Sequence, residues 1–162
     1  MYCESFAPIR GQDARLLIVG SMPGKRSLEM QQYYAHPQNA FWRILFETLD
    51  EPFTADYAAR VKLISNHRIV LWDSACACLR DGSLDSSMKE IRLNDFTELF
   101  FNESGIQTVL CNGKTAYDLF LKAPGPKPAR ILRMPSTSPA YTMPYEEKYR
   151  RWSAAIREGL NC

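Results

Sequence analysis

The chain lacks the features that would direct it to a membrane or a disulfide scaffold. No apolar run approaches the ~20 residues that a spanning helix needs. The opening MYCESFAPIRG has neither a basic start nor the apolar stretch of a secretion signal. A cytoplasmic protein is therefore expected. The five cysteines, Cys3, Cys76, Cys78, Cys111 and Cys162, are odd in number and share no repeated spacing, which suits reduced thiols. Cys76 and Cys78 have no second pair to complete a zinc or iron–sulfur site. No metal and no cofactor is expected. A strong charge excess is also missing, since the net charge is only +2, which neither demands nor excludes nucleic acid. Neither GxGxxG nor a Walker lysine–serine ending occurs, which argues against dinucleotide and P-loop binding.

What is present is an ordinary globular balance, with 46% hydrophobic and 23% charged residues in 162. That length predicts one domain over 1–162 with a real core. Apolar runs predict strands over 15–19, 68–72, 108–111 and 130–134. Between them, apolar stripes predict helices over 39–49, 55–64, 94–101 and 113–122, with a last one over 145–158. Residues 73–87 are turn-rich and are expected to be loop with one short helical turn. The alternation predicts an α/β fold, three-layered α/β/α around a four-stranded parallel sheet. Right-handed crossovers would bring every strand's carboxyl end to one edge, where such sheets bind ligands. Three loops then meet there, over 20–39, 73–87 and 135–141, with Asn112 joining from the third strand.

The most informative stretch is GSMPGKRSLEMQQYYAHPQNAFW, residues 20–42. A loop this long in a compact domain is usually functional or disordered, and its aromatics and prolines argue against disorder. Its glycine turn could present backbone N–H groups to a phosphate or an oxyanion. Farther along, five basic residues (Lys114, Lys122, Lys127, Arg130 and Arg133) face one acid, Asp118, within twenty positions. That run reads either as a solvated face or as a phosphate-binding rim.

GSMPG after a strand, HPQNAFWRIL at the next helix and PSTSPA after the last strand together resemble the uracil-DNA glycosylase superfamily, in particular its hypoxanthine (deoxyinosine) branch. The resemblance runs from Leu16 to Trp152. It implies a monofunctional glycosylase that hydrolyses the bond between a flipped-out deaminated base and deoxyribose, with DNA as partner and a monomeric enzyme. One departure is informative. The third motif position, often an acid or asparagine in the superfamily, is Met22, which can neither hold nor deprotonate water. The resemblance moves catalysis to Asn39, whose amide could orient a water; a helix cap is the plainer role.

By the same resemblance Phe41 would stack on the base, unless it belongs to the core. Base contacts would come from Met22, Asp73, Asn112 and His36. As an ionised acceptor Asp73 could take the N1 proton of hypoxanthine, which adenine lacks; helix capping is its ordinary alternative, a turn that of Asn112, and a structural role that of His36. Tyr33 and Tyr34 would line the pocket or pack the loop. DNA contacts would come from Gly20, Ser21, Pro23, Gly24 and Lys25, with Arg26 and Arg133 adding charge. The last loop would press Ser136, Thr137, Ser138, Pro139 and Ala140 on the backbone, with Tyr141 near the vacated gap. A uracil- or mismatch-specific enzyme, a damaged-DNA binding module and a metal-dependent nucleotide hydrolase are the competing readings.

Overall fold

The computed structural model describes residues 1–161. Short strands β1 (Tyr2–Glu4) and β2 (Ile9–Arg10) precede β3 (Leu16–Gly20). Helices α1 (Lys25–Met30), α2 (Phe41–Thr48) and α3 (Tyr57–Ser65) follow, then β4 (Ile69–Asp73), β5 (Ala75–Leu79) and β6 (Lys89–Leu93). The order continues through α4 (Thr97–Asn102), β7 (Thr108–Asn112), α5 (Lys114–Lys122), β8 (Arg130–Met134) and α6 (Tyr145–Leu160). The large sheet runs β2-β4-β3-β7-β8, with β3, β4, β7 and β8 parallel and β2 antiparallel at the edge. The four parallel strands are those expected, and the fifth is an addition: Ile9 and Arg10 are too short a run to show alternation.

The inner parallel strands β4, β3 and β7 are buried on both faces, and their two side-chain sets feed two cores. Leu16 and Ile18 pack with Trp42, Leu45, Ile64, Trp152 and Ile156 under α2, α3 and α6. Leu17 and Val19 pack with Phe96, Leu99, Ala116 and Phe120 under α4 and α5. Two faces shielded from water explain why these strands read as continuous apolar runs. The chain leaves β3 across one face and β7 across the other, so the order reverses beside β3. Such a reversal opens a crevice at the carboxyl ends of the strands.

Two expectations are corrected. Residues 73–87 are not mainly loop: β5 pairs antiparallel with both β1 and β6 in a separate three-stranded sheet, and only Asp85–Ser87 forms a helical turn. The segment ACACL lacked a strand signature because its small residues bury on both sides, against Met22 and Met88. The segment over 20–39 is not a continuous loop either, since α1 interrupts it.

Trp152 fastens the last helix to the site-bearing edge. Its ring is fully buried, and its indole N–H donates to the Pro135 carbonyl at 2.8 Å, at the start of the last loop. Trp152→Ala should lower unfolding free energy by about 3–5 kcal/mol through the cavity it leaves. A urea titration checks this, and a loss under about 1 kcal/mol would contradict the anchoring role.

Candidate active site

The parallel register brings four strand ends level. Gly20 lies opposite Asp73, and Asn112 opposite Met134. Beyond them opens a cavity of about 530 Å³, bounded by the 20–27 turn, Tyr33 and Tyr34, His36 and Asn39, the 83–85 hairpin tip and the 136–141 loop. Gly20 is glycine for lack of space. A Cβ there would sit 2.6 Å from Asp73 Oδ1 and 2.7 Å from the Tyr34 hydroxyl. At the end of β7, Gly113 adopts φ +94°, a conformation that lets the chain turn straight into α5.

Asn39 stands where α2 begins, and its Oδ1 accepts the Phe41 N–H at 3.0 Å. This is capping in substance, although the helix itself starts after Ala40. The bond orients the amide and leaves Nδ2 and one Oδ1 lone pair unused by it. Capping and water placement are thus compatible. His36 is exposed; its Nδ1 accepts the Gln38 N–H, which assigns the ring proton to Nε2.

Asp73 is 3% exposed and accepts the Ser5 hydroxyl at 2.7 Å on Oδ2. Burial raises its pKa to about 7, Asp85 adds to the rise, and the Ser5 hydrogen bond and Arg80 oppose it. A carboxyl balanced near neutrality can accept from a base edge when ionised and donate when protonated. It does not cap a helix; it ends a strand.

Several assignments change. Phe41 is 2% exposed and does not border the cavity, because the Tyr34 ring covers its face. Met22 lines the cavity wall, with most of its side chain packed in the small-sheet core behind the turn. Asn112 is largely committed: its Nδ2 donates to Thr137 Oγ1 and its Oδ1 accepts the Thr137 N–H, both at 2.9 Å. Thr137 is therefore buried at the cavity wall, tied to Asn112 through both its N–H and its hydroxyl oxygen. Ser136 and Ser138 hydroxyls accept backbone N–H groups within their own loop, at 3.2 Å each, and Pro139 and Ala140 are exposed at its tip. Ser21 donates to Asp85 at 2.7 Å, and Pro23 is buried with its carbonyl accepting from Arg80. Gly24 is half-buried, while Lys25 and Arg26 stand exposed on the rim. The basic run does not gather there: Lys114 pairs with Asp118, Arg130 with Glu158, and Lys127 bonds its own loop.

The residues that sequence reasoning missed come from the small sheet and the amino terminus. Arg80 is 3% exposed, bonds the Pro23 carbonyl through Nη2 and lies 4.0 Å from Asp85, so a buried cation braces the glycine turn from behind. Ser83 Oγ accepts the Lys25 N–H at 2.8 Å, occupying the first amide of α1. Ser5 reaches Asp73 because β1 docks beside β5. No spacing in the sequence signals these contacts; reading ACACL as a strand would have exposed them. Among the described residues no group of three or more histidine, cysteine or acidic side chains could hold a metal.

A buried carboxyl (Asp73), a strand-end amide (Asn112) and Asn39 thus meet beside one cavity at the switch point of an α/β sheet. The model of the uracil DNA glycosylase superfamily matches residues 8–158, and the chain belongs to that superfamily. Over nearly the full length it is similar to two curated proteins called hypoxanthine DNA glycosylase. One, from Methanosarcina barkeri, is 31% identical over 157 residues, 95% of this chain and 98% of that one. The other, from Methanosarcina acetivorans, is 31% identical over 160 residues, 97% and 99% of the two chains. The solution structure of a Methanosarcina acetivorans protein provisionally assigned as a uracil DNA glycosylase superposes with a TM-score of 0.80, at 28% identity and full coverage of both chains.

The raised Asp73 pKa has a stability consequence. Between about pH 4 and pH 7 the unfolded carboxyl ionises while the folded one keeps its proton. The folded state then binds more protons, so this contribution is full below about pH 4 and is lost as pH rises through about 7. Asp73→Asn should therefore gain stability over the wild type on going from about pH 5 to about pH 8, by about 1–4 kcal/mol. Urea midpoints at the two pH values test this; a constant difference between the proteins would refute it.

Proposed function

We propose that this protein releases hypoxanthine from deoxyinosine in DNA by hydrolysing the N-glycosidic bond, as a monofunctional, monomeric enzyme. What carries the reading is the convergence of Asn39, Asp73 and Asn112 on one cavity, in a chain similar end to end to hypoxanthine DNA glycosylases. A base must leave the duplex stack to reach so recessed a site.

Bond cleavage builds positive charge on the sugar and negative charge on the departing base. Asn39 holds the attacking water through the amide positions that its Phe41 bond leaves over. An asparagine places water without deprotonating it: the glycosidic bond breaks with its electron pair going to the base, the water oxygen bonds the oxocarbenium carbon, and its proton is then lost to solvent while the base anion takes one up. Asp73, in its ionised form, accepts the N–H next to the base carbonyl, which adenine does not have. Uracil offers the same N–H beside a carbonyl, so it is a secondary substrate on this reading. Asn112 holds the 135–141 loop in place and turns its remaining N–H to the Tyr34 hydroxyl at the cavity wall. Lys25 and Arg26 attract the phosphates, and Ser136, Ser138, Pro139 and Ala140 meet the backbone at the loop tip.

Asn39→Ala should lower the single-turnover rate of hypoxanthine release by about a hundredfold or more, while shifting unfolding free energy by about 1 kcal/mol for the lost cap. An unchanged rate would reduce Asn39 to a cap, whereas no release by the wild type would return the chain to damaged-DNA binding. Replacing Lys25 and Arg26 together by alanine should weaken binding to any duplex and flatten the plot of log K against log salt by about 2. Fluorescence anisotropy at several salt concentrations gives that slope, and no change would remove the pair from the DNA face.

A further inference from the structure

Unpaired positive charge gathers on one side of the site. A second cavity, of about 780 Å³, opens on the outer side of the 34–40 segment and shares Arg26, Asn39, Pro139 and Tyr141 with the strand-end cavity. Four cations line it, Arg26, Arg43, Arg60 and Lys148, and no aspartate or glutamate among the described residues does. None of the four forms an ion pair with a carboxylate of the described residues. By contrast Arg10 pairs with Glu98, Lys114 with Asp118 and Arg151 with Glu147. Glu47, Asp50 and Glu51 lie past Arg43 and Phe53 around a separate hollow, and there the positive path ends.

Aromatic rings take the place of the missing acids. The Arg43 guanidinium carbon lies 3.6 Å from the centre of the Tyr145 ring, and that of Arg60 lies 5.5 Å from Trp42 and 5.3 Å from Phe53. A guanidinium resting on a ring keeps its charge and leaves donors at its edge free for a phosphate. Phe53 is 58% exposed and Tyr141 47%, so both also turn ring surface to water. Cations interleaved with exposed rings along a concave path suit single-stranded nucleic acid, with the backbone on the charges and the bases on the rings. The recess has the volume of a site for a drug-sized ligand, room for about one or two nucleotides rather than a duplex.

We propose that this groove holds the single-stranded DNA next to the flipped nucleotide, its phosphates on Arg26, Arg43 and Arg60 and its unstacked bases on Phe53 and Tyr141. That the strand continues from the neighbouring cavity rests on the reading of that cavity as the base site; the preference of the groove for a single strand does not. Lys148, buried beside the Tyr141 ring, adds charge from below while donating to the Ser138 carbonyl. The protein thereby grips a single strand through contacts that a duplex does not make, because paired bases cannot reach the rings.

Fluorescence anisotropy with an undamaged, pyrimidine-only oligonucleotide and with its duplex tests this. Arg43→Gln combined with Arg60→Gln should weaken single-strand binding about tenfold, lower the slope of log K against log salt by about 1.4, and cut the ratio of single-strand to duplex affinity by about tenfold. Phe53→Ala should cost the single strand about fivefold or more. Because both arginines also brace rings, Ala55→Glu gives an independent route. Ala55 is exposed in the groove wall, and a carboxylate there should weaken the single strand by about threefold. Equal losses on single strand and duplex would make the groove part of a general DNA field and overturn the proposal, as would no loss at all. Release of hypoxanthine from duplex DNA by wild type, and its loss in Asn39→Ala, tests the base site separately. If release occurs and no variant shifts the affinity ratio, the groove alone falls; if the ratio shifts and wild type releases nothing, the groove stands and the base-site reading falls.

Discussion

The site depends on one reciprocal pair of hydrogen bonds, between the Asn112 amide and Thr137. Asn112 is the last residue of a rigid central strand, and Thr137 is the middle of the last loop. Thr137 in turn gives its carbonyl to the Ala40 N–H, next to Asn39. Two segments far apart in sequence are thereby fixed to one strand end through a buried asparagine and a buried threonine. Polar groups in such a place rigidify strongly when every partner is present. Lys148 completes the brace by donating from α6 to the Ser138 carbonyl.

Charge is arranged around this frame in layers. Asp73 and Asp85 are both raised by burial, and Arg80 lowers each of them from behind the glycine turn. No pair among them has close ion-pair geometry, since Arg80 and Asp85 are 4.0 Å apart. The result is a carboxyl poised near neutral pH without a neutralising partner in contact. That state is suited to exchanging roles with an incoming base. The exposed cations stay outside, at the rim, where they can meet phosphates.

Much of this was legible in the residues. Strand β8 falls on 130–134 as the apolar run predicts, and the last helix starts at Tyr145 just after Pro144. Gly20, Asn39, Asp73 and Asn112 all reach the same cavity, because parallel strands impose that edge whatever the loops do. What sequence could not show was how side chains divide between core and cavity. Phe41 fits a buried stripe and a stacking role equally, and only the position of Tyr34 distinguishes them. The small sheet escaped notice because three-residue β1 carries no period and β5 lies in a stretch that reads as turn-rich loop, while Cys78 packs in its core as a reduced thiol would.

The pairing of β1 with β5 has a consequence for how the protein is made. Ser5 and Asp73 are 68 positions apart, and β1 can dock only after β5 exists to receive it. Residues emerging early must therefore wait, unpaired, for a strand synthesised much later, a non-local closure of the kind that slows folding. Until it happens Asp73 lacks the hydroxyl donor whose hydrogen bond favours its ionised form in the folded protein. Docking of the amino terminus thus contributes to the acid–base balance of the site as well as to the small sheet.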